Sequence, residues 1–169
     1  PATRLGMWYR RRLPVARVKA HVISFGNLTA GGTGKTPAVI ERAQLQIAAG
    51  KRVAILTRGY GSRPSAHPEV VRTADLTDDI GGLYERVGDE PALIARAVPE
   101  AYVIKHPARV VSARLAVDQF GCDTIILDDG FQHIQLARDE DIVVIDATNP
   151  FGNGKLLPRG ILREPLGAL

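Results

Sequence analysis

Short apolar runs alternate with amphipathic stretches along most of the chain. Val22, Ile23 and Phe25 make His21–Leu28 a first strand that ends in a glycine-rich turn. Val39, Ile40, Ala43 and Ile47 then recur at helical spacing, so the pattern predicts a helix from Lys35 to Ala49, closed by Gly50. Val53–Leu56 reads as a buried strand running into Arg58-Gly59-Tyr60-Gly61, Ser62–Pro68 as loop, and Val70–Arg72 as a short extra strand. Downstream come a helix opened by Asp89 as N-cap and running through Val98, a strand at Ala101–Lys105, and a helix at Pro107–Phe120. Thr124–Leu127 and Ile142–Ile145 complete the strands, and no element is evident after Asn149. Strands that alternate with helices require right-handed crossovers. The expected fold is a three-layer α/β domain, P-loop NTPase-like, with a mainly parallel sheet covered on both faces.

The turn after the first strand carries the strongest chemical signal. Thr29-Ala30-Gly31-Gly32-Thr33-Gly34-Lys35-Thr36 sits between a strand and a helix, where a phosphate-binding loop belongs. Gly31, Gly32, Thr33 and Gly34 would let backbone N–H groups curl around phosphate oxygens, aided by the positive end of the helix. Lys35 would reach the β- and γ-phosphates, and the Thr36 hydroxyl would ligate Mg²⁺. Thr29 stands where the usual pattern has its first glycine. Pro37 falls in the first helical turn, where a missing N–H costs little.

Two acidic positions extend this reading. Asp128-Asp129 ends a strand on the sheet edge that would carry the phosphate loop, so either carboxylate suits a Mg²⁺ ion opposite Thr36. Asp-Asp-Gly is also a turn-forming string, and the phosphate loop is what favours the metal role. Gly88-Asp89-Glu90-Pro91 places a carboxylate at a helix start. Asp89 there is either a cap or the base that accepts a hydroxyl proton during phosphoryl transfer. Arg58, Arg109, Lys155, Arg159 and Arg163 lie near strand ends or loops, where arginine suits phosphate and solvation alike. His133 reads as a turn residue, and Asp75, Asp78, Asp79 and the Asp139-Glu140-Asp141 run read as solvated loop.

Composition narrows the field. The chain has 169 residues, 45% apolar and 24% charged, which suits one globular domain. A net charge of +4 and 5% aromatic residues give no stacking surface or basic stripe for nucleic acid. Cys122 is the single cysteine, which excludes an internal disulfide or a cysteine-based zinc site and fits a reducing compartment. No apolar run reaches the length of about 18 residues that a membrane span needs. Trp8 and Tyr9 before Arg10-Arg11-Arg12 resemble a membrane-surface flank rather than a signal peptide. Residues 1–20 are accordingly expected as a basic flank and 21–169 as a P-loop nucleotide-binding domain.

Several strings together resemble the tetraacyldisaccharide 4′-kinase family. They are Gly26-Asn27-Leu28-Thr29 running into Gly31–Pro37, Leu56-Thr57-Arg58-Gly59-Tyr60-Gly61, and Gly88-Asp89-Glu90-Pro91. The others are Leu127-Asp128-Asp129-Gly130-Phe131-Gln132-His133, Phe151-Gly152-Asn153-Gly154, Leu157-Pro158 and Arg163-Glu164-Pro165. The resemblance implies transfer of the γ-phosphoryl of ATP to the 4′-hydroxyl of a tetraacylated disaccharide 1-phosphate, the lipid A precursor, with Mg²⁺. It implies work at the cytoplasmic face of the bacterial inner membrane, held by an N-terminal hydrophobic helix, with residues 1–20 as the basic remnant of that anchor region and 21–169 as the kinase domain of a fragment. Lys35 and Thr36 match the family's phosphate-loop pair, Asp89 its catalytic aspartate, and Asp128 and Asp129 its acidic pair. Arg109, Arg163 and Glu164 fall near functional charged positions and are expected as substrate or phosphate contacts. The second domain of the family, with a histidine that assists the aspartate, has no match here, so the fragment alone is expected to turn over poorly or not at all. The alternative is a P-loop ATPase or nucleotide switch without a lipid acceptor. No guanine-reading Asn-Lys-x-Asp string follows the acidic pair, which favours ATP over GTP.

Overall fold

The computed structural model describes residues 14–31, 33–59, 61–73 and 80–168, without the side chains of 80–83 and 168. Gly32, Tyr60, Asp75, Asp78, Asp79 and the Trp8–Arg12 flank lie outside the described residues.

Six strands form one sheet: β1 (His21–Gly26), β2 (Val53–Thr57), β3 (Glu69–Val71), β4 (Tyr102–Lys105), β5 (Thr124–Leu127) and β6 (Glu140–Val143). Their spatial order is β3-β4-β2-β5-β1-β6, and every pairing is parallel except β3 with β4. The central strands β2 and β5 are buried along their whole length, as strands covered on both faces must be. Among the described residues four helices supply the cover: α1 (Lys35–Ala48), α2 (Ile80–Val87), α3 (Asp89–Ala97) and α4 (Arg109–Asp118).

The alternating side chains of each strand divide the core. On one face Ile23, Phe25, Val53, Ile55, Val103 and Ile126 pack with Val39 and Ala43 of α1, Val87 of α2 and Ala92, Ile94 and Ala95 of α3. On the other, Val22, Ala54, Leu56, Ile104, Ile125 and Leu127 pack with Ala113 and Ala116 of α4 and with Cys122 and Leu136. Tyr102 stacks on Phe120 at 4.6 Å on this second face. The stretch before β1 joins it as well, through a bridge between Ala16 and Leu136 and packing by Val18 and Ala20.

The expected α/β domain is present, with four local differences. Helix α2 was not legible, because Gly81-Gly82 near its start hides helical propensity. The last strand is β6, Glu140–Val143, two residues earlier than expected, and Glu140 is not solvated loop: it pairs with Ile23 and accepts from Arg42 at 2.7 Å. An edge strand exposed on one side tolerates such charge. Asp89 is the first residue of α3 rather than its cap; the cap is Gly88, at φ 91, and no side chain bonds the helix end. The segment after Asn149 folds back on the sheet edge through bridges of Leu162 to Thr29 and Leu156, then ends in a 3-10 turn at Leu166–Ala168. Among the described residues no helix is long and apolar enough to cross a membrane.

Candidate active site

Strands β1 and β5 are parallel neighbours, with Ser24 opposite Leu127, so their C-terminal ends open side by side. The phosphate loop leaves one end and Asp128-Asp129 leaves the other. Helix α1 starts at Lys35 with Gly34 as its N-cap in the left-handed region at φ 78. Gly31 is also at positive φ, 125, and open space surrounds both α-carbons, so the backbone conformation alone calls for glycine. Asn27 reaches across the loop and donates to the Thr33 hydroxyl at 3.2 Å. Gln132 donates to the Asn27 carbonyl at 3.1 Å and ties the turn after β5 to the same loop.

Five expected site residues and one unexpected residue converge here. The Lys35 ammonium lies 3.5 Å from Asp129. Arg163 grips the same carboxylate from the other side, at 3.1 and 2.9 Å. Its placement comes from the folded-back segment, where the Arg163 amide donates to the Leu28 carbonyl at 2.6 Å. Asp129 itself adopts φ 52, an uncommon conformation for a residue with a side chain. The Thr36 hydroxyl donates to Glu90 at 2.9 Å, so the start of α1 is joined to the start of α3. Glu90 is the functional candidate that sequence reasoning passed over; its only signal was its place beside Asp89.

Asp128 is 1% exposed, and no donor among the described residues reaches either of its carboxylate oxygens. Burial comes first, then repulsion from Glu90 and a hydrogen bond to its carboxyl that favours the protonated form, then repulsion from Asp129; together they push the pKa up to about 7, against a smaller opposing pull from Lys35. A buried carboxylate with two unsatisfied oxygens is costly as an anion unless a cation arrives. The donor set of a hydroxyl and hard carboxylate oxygens suits Mg²⁺, which keeps several waters and needs few protein ligands. Among the described residues no group of three or more His, Cys, Asp or Glu is arranged as a self-sufficient metal cage.

Asp89 stands at the mouth of a cleft of about 560 Å³ lined by Thr36, Tyr84, Asp89, Glu90 and Leu93. Arg109 is buried at 3% exposure and donates to the carbonyls of His106 at 2.6 Å and Asp128 at 3.5 Å. Burial lowers its pKa to about 10, with Asp128 opposing the shift. It stands against the Asp128 backbone. Glu164 is buried, one residue after Arg163. Arg58, Lys155 and Arg159 are exposed.

A glycine-rich turn between β1 and the first helix, with an acidic strand end on the adjacent parallel strand, defines a P-loop nucleotide-binding fold. The sequence profile of LpxK, tetraacyldisaccharide-1-P 4′-kinase, matches residues 2–169, and the chain belongs to that family. It is 51% identical over 170 residues to the tetraacyldisaccharide 4′-kinase of Anaeromyxobacter dehalogenans (strain 2CP-C), across 99% of this chain and 43% of that one. The enzyme of the same name from Syntrophus aciditrophicus (strain SB) is 49% identical over 151 residues, across 88% of this chain and 39% of its own. A crystal structure of LpxK from Aquifex aeolicus in complex with ATP superposes with a TM-score of 0.81 at 36% identity, covering 99% of this chain and 50% of the other. The chain therefore spans less than half the length of these curated relatives.

Proposed function

We propose that the protein carrying this chain transfers the γ-phosphoryl of ATP to the 4′-hydroxyl of tetraacyldisaccharide 1-phosphate, forming lipid IVA. Residues 21–169 would be its nucleotide-binding domain, working at the cytoplasmic face of the inner membrane. The observation that carries the proposal is the convergence of Lys35, Thr36 and Asp128-Asp129 on one sheet edge, beside the cleft that holds Asp89. Family membership supports the choice of acceptor, and the ATP complex of the Aquifex aeolicus relative supports the choice of nucleotide.

Lys35 and the loop amides would offset charge on the β- and γ-phosphates, and donors fixed in advance are where such sites gain most of their rate. Thr36 and the Asp128-Asp129 pair would hold Mg²⁺, which would supply charge neutralisation at the phosphates. Phosphate entering the loop would compete with Asp129 for Lys35, while Arg163 keeps hold of that carboxylate. Asp89, at the cleft mouth with no capping duty, would accept the proton of the acceptor hydroxyl. Arg109 would fix the strand end that presents Asp128, and Glu164 would accompany Arg163 at the phosphate edge.

The test is transfer of label from γ-³²P-ATP to tetraacyldisaccharide 1-phosphate, with full-length protein containing this sequence and its Asp89→Ala variant. Labelled lipid that drops by about 10²–10⁴ in the variant is expected for loss of a general base. Unlabelled lipid, with ATP hydrolysed equally whether or not acceptor is present, would instead establish an ATPase.

A further inference from the structure

Lys105, the last residue of β4, is 2% exposed, yet it carries an ammonium group outside the constellation above. Its side chain lies on the sheet face that holds α1 and α3, two residues beyond Val103. There the ammonium donates to the carbonyl of Arg63 at 2.7 Å and to that of Arg86 at 2.7 Å. Glu69, its cross-strand neighbour on antiparallel β3, supplies a carboxylate oxygen at 3.5 Å. The aliphatic stem lies so close to the Gly59 backbone that a Cβ there would come within 2.6 Å of it. One buried cation thus touches the loop after β2, the edge strand β3 and the last turn of α2.

Stability alone is a weak reason to keep this arrangement. Taking an ammonium out of water costs several kcal/mol, and apolar replacements of buried ion pairs are often neutral or better. Position is the better reason. The carbonyls of a helix's last turn have no partner inside the helix, and a cation there satisfies one and complements the dipole. Arg86 lies in that turn of α2; Val87 ends the helix, Gly88 caps α3, and Asp89 follows. The Gly88 amide also donates back to Tyr84 at 2.8 Å, so the two helices meet in a tight corner. Tyr84 from α2 and Leu93 from α3 are partly exposed and line the cleft on either side of that corner. Arg63, held by the same ammonium, is bonded to α2 again through its amide to Glu85 at 3.2 Å.

We propose that Lys105 is a positioning residue for the acceptor. By holding the Arg63 and Arg86 carbonyls together, it sets α2, and with it the Tyr84 side of the cleft, at a fixed distance from Asp89. A tyrosine and a leucine lining one cleft suit the apolar face of a sugar with acyl chains attached. This inference rests on the acceptor reading above. Among the described residues the phosphate loop makes none of the Lys105 contacts, so nucleotide binding should be independent of it.

The experiment compares steady-state kinetics of the full-length protein with Lys105→Met and Gly59→Ala variants, varying lipid and ATP separately. Gly59→Ala keeps the charge, pushes the stem aside and strains the loop at φ 69, so it decides the matter, if Lys105→Met does not fold, through an acceptor KM that rises while the ATP KM does not. The expected result is an acceptor KM raised about tenfold or more, the fold-change of one lost charge-assisted hydrogen bond, with the ATP KM within about twofold. An unchanged acceptor KM in a protein that labels lipid overturns this inference alone, as does an equal rise in both KM values. A wild-type protein that labels no lipid overturns both this inference and the function on which it rests.

Discussion

Asp128→Asn should stabilise the protein while disabling it, and the gain should depend on pH. In the folded state this carboxyl has its pKa pushed from an ordinary 3.8 to about 7 by burial and by the neighbouring carboxylates. Between those values the native state binds a proton that the unfolded state has released. Stability therefore falls as pH rises through this window. At 1.36 kcal/mol per pH unit, the distance from 3.8 to about 7 corresponds to about 4 kcal/mol at full ionisation. That figure is a ceiling, because water entering the cleft screens part of the charge. The asparagine variant has the same shape and no charge, so it escapes the penalty. Its advantage in urea denaturation, measured with EDTA and no nucleotide, should be near zero at pH 4 and grow to a maximum above pH 7. Mg-ATP should narrow the gap: at a hundredfold excess over Kd, wild type would gain about 2.7 kcal/mol and the variant much less. A difference between the two proteins that stays constant from pH 4 to pH 8, or a variant less stable at pH 8, would refute the reasoning.

Two further outcomes follow from packing. Gly26→Ala drives a Cβ into the Phe131 side chain and against its backbone nitrogen at 2.8 Å. The backbone cannot give way cheaply, so a loss of about 1–3 kcal/mol or more is expected in the urea midpoint. Cys122 is 2% exposed, and burial pushes its thiol up to about 11. At pH 8 iodoacetamide should leave it unmodified in the native protein and label it once urea unfolds the chain, as peptide mass mapping would show.

The sheet was legible because its strands are nearly all apolar. Val53–Leu56 and Thr124–Leu127 need partners on both faces, and only a parallel sheet covered by helices provides them. The phosphate loop was legible for a different reason: phosphate recognition uses backbone amides, and local sequence dictates a backbone conformation of that kind. Features that depend on long-range placement were hidden. Helix α2 owes its existence to the corner it makes with α3 rather than to the propensity of Ile80-Gly81-Gly82. Glu140 looked like surface because nothing local announces Arg42, which stands 98 positions away in the chain and meets it at 2.7 Å.

The same distinction runs through the site itself. Lys35, Thr36, Asp89 and Asp128-Asp129 could be named from sequence because each belongs to a short string with a recognisable chemical task. What the strings leave open is which charges face which. In the fold, the Asp129 carboxylate is claimed by Lys35 and Arg163, whereas no donor among the described residues reaches the carboxylate of Asp128, its neighbour in sequence. The two carboxylates of one Asp-Asp pair therefore have opposite needs. The first lacks a cation, and the second already shares two. If both met Mg²⁺ directly, Asp129 would have to give up Arg163, whose own place is fixed by its amide bond to Leu28. Asp128 can accept the ion at no such cost, and the metal would offset the burial and the repulsion that raise its pKa. On that reading Asp128 would make the direct contact, and Asp129 would hold its place in the site through Lys35 and Arg163.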